Sequence, residues 1–212
     1  MPALLKRASS AVTRQRLIAS AIEILRKHGP AAATTGRIAA GAGLKQASFY
    51  AHFADRDACL TAAAAAIGEQ MLARLRAVLA PIDGADLRGS IRRVYASLLA
   101  VMLEERALTT LFLAHRVDPA SPIGVGLRRE LDLARADLVT AIRLYGVRAT
   151  PAQAGAWAEM LVAVMLGLAE AVIAGRVAAE TGVDAAADAT FGALRALLAP
   201  HPHPHSSSTE VP

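Results

Sequence analysis

The sequence predicts an all-α protein, and three observations carry that expectation. From residue 86 onward apolar residues recur at intervals of three and four, and no stretch shows the strand-like alternation of period two. The stretch Thr34–Phe53, TTGRIAAGAGLKQASFYAHF, reads as two short helices on either side of Gly41-Ala42-Gly43. Gly29-Pro30, Asp118-Pro119-Ala120-Ser121-Pro122 and Pro200 punctuate the helical runs where helices should stop.

Residues 1–12 read as a flexible basic arm with Lys6, Arg7 and the Ser9-Ser10 pair. Thr13–His28 has helical periodicity, with Leu17, Ile18, Ala21, Ile22 and Leu25 on the inward side and Arg14, Arg16, Arg26 and Lys27 outside. In the stretch that follows, Thr34 or Thr35 can cap the first short helix, because a threonine oxygen satisfies one of the N–H groups that a helix start leaves open. Glycine at the turn can adopt positive φ and lets two helices approach closely. Phe49 and Phe53, four apart, share one face of the second short helix. Lys45, Gln46, Ser48 and His52 point elsewhere, with Tyr50 at the boundary.

Asp55-Arg56-Asp57 opens a long alanine-rich helix to about Leu79, where Pro81 and Gly84 stop it. Acids near a helix N-terminus suit its dipole. Further helices are expected from about residue 86 to Arg106, over Leu108–Arg116, and from about Leu127 to Tyr145-Gly146. Thr150-Pro151 begins the next, which runs to about Gly175, since proline fits the first helical turn. The last spans about residues 184–198, and the tail PHPHPHSSSTEVP, residues 200–212, is expected to be disordered. His201, His203 and His205 in it read as a solvated tract and not as a metal site.

Charge is divided unevenly along the chain. Residues 1–53 carry eight basic side chains against one acid, Glu23, while the remainder carries fifteen against seventeen. A basic first quarter on a nearly neutral body is the electrostatic pattern of a chain that meets a polyanion, though a solvated basic face gives the same count. The single Cys59 excludes an intramolecular disulfide and a multi-cysteine metal site, so a reducing, cytoplasmic compartment is expected. Residues 1–20 lack the apolar run of a signal peptide. Signatures of phosphate loops, zinc proteases and serine hydrolases are missing, so neither an enzyme nor a cofactor is expected.

The helix over 151–175 is apolar on most sides. Ala163, Gly167 and Ala171 make a small-residue stripe beside a bulky one of Leu161, Met165, Leu168 and Val172. Glu159 and Glu170 fall within the run, and each acid costs about 2.5–3.5 kcal/mol near a bilayer centre. No membrane span is therefore expected, and a second copy of the chain is the better cover for such a helix.

Thr13-Arg14 through His28-Gly29, the pattern Thr34-x-x-x-Ile38-Ala39-x-x-Ala42-Gly43-Leu44 and then Ser48-Phe49-Tyr50-x-His52-Phe53 together resemble the DNA-binding domain of TetR-type transcriptional regulators. Three positions depart from the family pattern: Lys45 where a capping serine is usual, Ala47 where a glycine is usual, and Pro30 where an aromatic usually follows the glycine. The resemblance implies a bacterial, ligand-responsive repressor that binds a near-palindromic operator as a homodimer, joined through its last two long helices. It divides the chain into a helix-turn-helix domain at 13–60 and a ligand-binding and dimerisation domain at 61–199. A glutamine amide at position 46 can pair with adenine, and Ser48 with several bases. Lys45 and Ala47 lie on the same helix, and Lys45 can reach a base edge or a phosphate. The resemblance places Tyr50 and His52 on phosphates, flanked by Thr34, Thr35 and Arg37, with Arg56 near the DNA backbone. It also implies an apolar inducer cavity between about residues 86 and 175, for which Tyr95, Phe112 and His115 are the candidate lining. Ordinary core packing is the competing reading for those three. A helical small-molecule- or partner-binding protein with an idle DNA-binding head is the rival for the chain as a whole.

Overall fold

Pro2–His28 forms one continuous helix, α1, so the segment expected as a separate arm is its first part. Pro2 suits a first helical turn, and Ala3, Leu4, Leu5, Lys6 and Arg7 are strong helix formers. Thr13 Oγ1 donates to the Ser9 carbonyl at 3.0 Å, a bond made only when that segment is helical. The computed structural model describes residues 2–78, 82–144 and 149–198. The expected stops at Leu79, Pro81 and Pro200, the Tyr145-Gly146 terminus and the 200–212 tail with His201, His203 and His205 lie outside the described residues.

Eight further α-helices follow among those residues: α2 Thr35–Gly41, α3 Gln46–Phe49, α4 Arg56–Val78, α5 Leu87–Glu104, α6 Arg106–His115, α7 Pro122–Leu144, α8 Pro151–Ile173 and α9 Ala179–Leu198. The described residues contain no strand. Termini follow from local chemistry. Asp55 Oδ1 accepts the Ala58 N–H at 2.7 Å and starts α4. Thr150 and Gln153 exchange side-chain and backbone bonds in a capping box that starts α8. Gly175 then ends the α8 segment with φ +70°, which only glycine adopts without strain. α5 stops two residues short of Arg106 because Glu105 takes φ −102° and ψ 42°, which breaks the helix and lets α6 begin at Arg106.

Two cores result. The first joins Leu17, Ala21 and Leu25 of α1, Ile38 of α2, Phe49 of α3, Leu60, Ala64 and Ile67 of α4, Leu108 of α6, and Ile123 and Leu127 of α7. It crosses residue 60 without a seam, so the N-terminal unit rests directly on the body. α4 and α7 approach closely at Gly126, where a Cβ would stand 2.3 Å from the Thr61 carbonyl oxygen and 2.8 Å from Ala64 Cβ. The second core packs Ile91, Tyr95, Leu99 and Met102 of α5 against Met165 and Leu168 of α8 and Val183 and Ala187 of α9. Along its rim Arg88 pairs with Asp188 and Arg92 with Asp184, each at 2.6 Å, so successive turns of α5 and α9 are matched in register.

α8 is poorly covered for so apolar a helix. An eighteen-residue window of it has mean hydropathy 1.8, yet only 28% of that window is buried. Met165, Leu168 and Ala169 face the second core, whereas Met160, Ala163 and Gly167 are exposed. Both acids of the helix are engaged by arginines. Glu159 accepts from Nε and one Nη of Arg135 on α7, and Glu170 lies 3.7 Å from Arg116 and 3.3 Å from Arg176.

Candidate nucleic-acid interface

α2, the turn and α3 form a helix-turn-helix whose position is imposed from below. Ser20 Oγ of α1 donates to the Ile38 carbonyl at 2.9 Å, and Arg14 lies 4.6 Å over the Phe53 ring. Gly43 turns the chain with φ +70°, and the Leu44 N–H closes on the Ala39 carbonyl at 2.9 Å. Phe49 is fully buried, its ring 5.7 Å from that of Phe53 and edge-on to Tyr50. α3 is only four residues long, too short to persist by itself. Burial of Phe49, worth roughly 1.5–3 kcal/mol, therefore sets where its outer face points.

That outer face carries most of the expected residues. Thr34, with φ −78° and ψ 155°, is the cap of α2, and its Oγ1 accepts the Arg37 N–H at 3.3 Å. Thr35 instead receives the Gln46 Nε2 hydrogen at 2.9 Å. Arg37, Lys45, Gln46, Ala47 and Tyr50 are exposed, Tyr50 by 55%, while Ser48 and His52 are half-buried beside them. Lys45 takes the cap position of α3 in extended conformation and is exposed; its ammonium only donates, so it cannot cap the N–H groups there.

Arg56, expected near the DNA backbone, is bonded within the protein. Its Nε donates to the Ala33 carbonyl at 2.9 Å and one Nη to the Pro30 carbonyl at 2.6 Å, while the other Nη meets Asp57 at 3.1 Å. The guanidinium thus ties the start of α4 to the turn at Pro30–Ala32 that leads into α2. Pro30, a departure from the family pattern, opens that turn and supplies one of the two carbonyls.

Arg26 and Lys27 at the far end of α1 share Glu23, whereas among the described residues no ion pair engages Arg14, Arg16, Arg37 or Lys45 around the helix-turn-helix. Arginines 74, 76, 88, 92, 93, 116, 135 and 176 of the body all have carboxylate partners. Arg14 and Arg16 are the residues that sequence reasoning left out of the site. Arg16 stands at the turn, where a Cβ on Gly43 would meet its Nη at 2.9 Å. Their signal was the excess of charge before residue 53, but only the packing of α1 shows which of those cations gather at the helix-turn-helix.

The three candidate pocket residues are not brought together. Tyr95 is 4% exposed within the second core, and its hydroxyl and the buried Thr190 hydroxyl share a hydrogen bond of 2.8 Å. Burial raises its pKa above the ordinary phenol value, partly offset by Thr190. Phe112 packs on the first core instead. His115 bonds Ser121 Oγ through Nδ1 at 2.9 Å and lines an open cleft of about 660 Å³ with Leu25, Pro30, Arg106, Thr110 and Leu111. Cys59 is buried, which pushes its thiol up to about 11, so it is an unreactive core residue. No group of three or more histidines, cysteines or acids placed to hold a metal occurs among the described residues.

Residues 17–63 match the family described as bacterial regulatory proteins, tetR family. Most of the chain is similar to solved structures of like size. One is a transcriptional regulator from Rhodococcus sp. Rha1, at 20% identity over 85% of this chain and 95% of that one, with a TM-score of 0.63. Another Rhodococcus protein, of unknown function, shares 24% identity over 85% and 94% of the two chains with a TM-score of 0.65. A TetR family transcription regulator from Marinobacter aquaeolei shares 21% identity over 87% and 97%, with a TM-score of 0.54. Among curated proteins none matches. The helix-turn-helix segment is thus similar to the TetR family, and the chain has the all-α fold of these solved structures.

The bonding of Arg56 yields a direct test. Arg56→Lys keeps the charge but cannot span two carbonyls. It is expected to lower stability by about 1 kcal/mol in urea denaturation, the modest value reflecting partial exposure. A substitution with no effect on stability would show that the guanidinium clamp is inert.

Proposed function

We propose that the protein is a DNA-binding transcriptional repressor, without enzymatic activity, that acts as a homodimer in the cytoplasm and releases its operator when a small molecule binds the helical body. The observation that carries this reading is the outer face of α2 and α3, with unpaired cations and amide and hydroxyl groups over a buried aromatic base. A helix carrying such groups fits the major groove, where Lys45, Gln46 and Ser48 meet base edges. Arg37, Tyr50, His52 and the threonines supply phosphate contacts, which fix register without reading sequence. Arg56 serves the same surface from behind, by holding the turn before α2 in place.

A dimer is supported by the uncovered apolar face of α8. Two copies related by a two-fold axis would present two α3 helices to half-sites about one helical turn, 34–36 Å, apart, which calls for a near-palindromic operator. Response to a ligand is supported by the junction of α5 and α6. Glu105 there lies 3.4 Å from Arg26 of α1 and 3.4 Å from Arg74 of α4, so a shift of that junction is felt by both helices that carry the head. The ligand must bind the two arrangements with different affinities for this to work.

Binding to DNA from upstream of the protein's own gene, compared with a shuffled duplex at two salt concentrations, tests the reading. The native duplex is expected to be preferred by about a thousandfold, with affinity for both falling as salt rises. Weak and equal binding to both would count against a self-regulated operator. The dimer has its own test in Gly167→Leu. A Cβ at Gly167 meets nothing within 4 Å of its own chain, and leucine is the better helix former, so the fold should be kept or slightly stabilised. Sedimentation at micromolar concentration is expected to show a dimer for the parent chain and a larger share of monomer for the variant. An unchanged dimer would move the interface away from that stripe.

A further inference from the structure

Gln46 is exposed at the first position of α3, yet its amide is already engaged. Nε2 donates to Thr35 Oγ1 at 2.9 Å across the turn. The amide lies along the first turn of α2, where even a Cβ on Gly36 would stand 3.6 Å from Oε1. A glutamine with no such partner can offer a base either end of its amide. Oxygen and N–H together match N6 and N7 of adenine, whereas the N–H end alone suits the acceptors of guanine or thymine.

We infer that Thr35 is the residue that sets the base specificity of Gln46: by accepting one Nε2 hydrogen it fixes which end of the amide lies where, leaving Oε1 and the second N–H as the pair offered to adenine. The inference rests on the reading of α2 and α3 as a DNA-reading surface. The two neighbouring threonines have separate tasks. Thr34 spends its oxygen on the Arg37 N–H as a cap, and Thr35 spends its own on Gln46. Because Thr35 acts as acceptor there, its hydroxyl hydrogen is free for a phosphate oxygen. One side chain then links a register-setting contact to a base-reading one. Threonine suits the task better than serine, since branching at Cβ stiffens χ1 and holds the oxygen in place.

The test uses the full chain and a randomised DNA duplex pool, with Thr35→Val, Thr35→Ser and Gln46→Ala compared to the parent. Valine keeps the shape and branching of threonine and removes only the hydroxyl. The parent is expected to select adenine at one position of each half-site, and Gln46→Ala to lose that preference. Thr35→Val should lose preference at the same position, discrimination there dropping from between about fivefold and about a hundredfold toward none, while other positions keep theirs. Thr35→Ser should retain most of it. If Thr35→Val weakens all sequences alike and leaves every base preference intact, Thr35 is a phosphate contact only and the inference is wrong. A second measurement separates this from the fate of the DNA reading itself. In the free protein, the side-chain amide resonances of Gln46 should shift in Thr35→Val and stay near the parent values in Thr35→Ser. Unchanged resonances in Thr35→Val would overturn the pairing whatever the DNA result, and a parent chain that enriches no sequence would remove both the reading and the inference.

Discussion

Everything the head presents depends on the burial of one ring. α3 makes a single turn, and nothing within four residues can hold a helix against the entropy of its own chain. Phe49 is fully buried among residues of α1, α2 and α4, and Phe53 closes the cluster behind it. With those rings fixed, the groups between and around them have no choice of side. Gln46, Ala47 and Tyr50 must face out because Phe49 faces in, and Tyr50 leans its ring edge on Phe49 at 5.5 Å. The apolar core thus decides the orientation of the polar surface.

That surface leaves Arg37 and Lys45 without carboxylate partners among the described residues. The body uses arginine as a fastener. Arg88 and Arg92 align α5 with α9, Arg135 joins α7 to α8, and Arg74 meets Glu104 and Glu105 from α4. Exposed pairs of this kind contribute little stability singly, but they cancel charge locally. Around the helix-turn-helix, Arg14, Arg16, Arg37 and Lys45 have no such partner among the described residues, which concentrates positive potential on that face. The continuous first core then gives that face a stiff connection to the body, through Leu108, Ile123 and Leu127.

The head was legible because its determinants are local. Spacing of four put Phe49 and Phe53 on one face, and the glycines at 41 and 43 marked the turn. Where two neighbours could do the same job, the sequence had no means to choose: Thr34 and Thr35 are chemically alike, and only the extended backbone at Thr34 makes it the cap. Long-range partners were illegible for a different reason. Arg56 bonds carbonyls 23 and 26 residues away, and any residue type there would offer the same carbonyl. Tyr95, read as a pocket residue, looks the same in sequence whether its hydroxyl meets a ligand or Thr190, 95 positions on. The N-terminal extension of α1 was missed because a run of basic and small residues suggests an arm, while the same residues are good helix formers once a folded helix lies ahead of them.

The central claim is that DNA seats on the outer face of α2 and α3. Amide hydrogen exchange of the full chain, with and without an excess of duplex selected from a random pool, addresses it most directly. The account predicts slowing concentrated over residues 34–52, where the two short helices would be held by the groove. Slowing confined to α5–α9, or none anywhere in the head at saturating duplex, would contradict it.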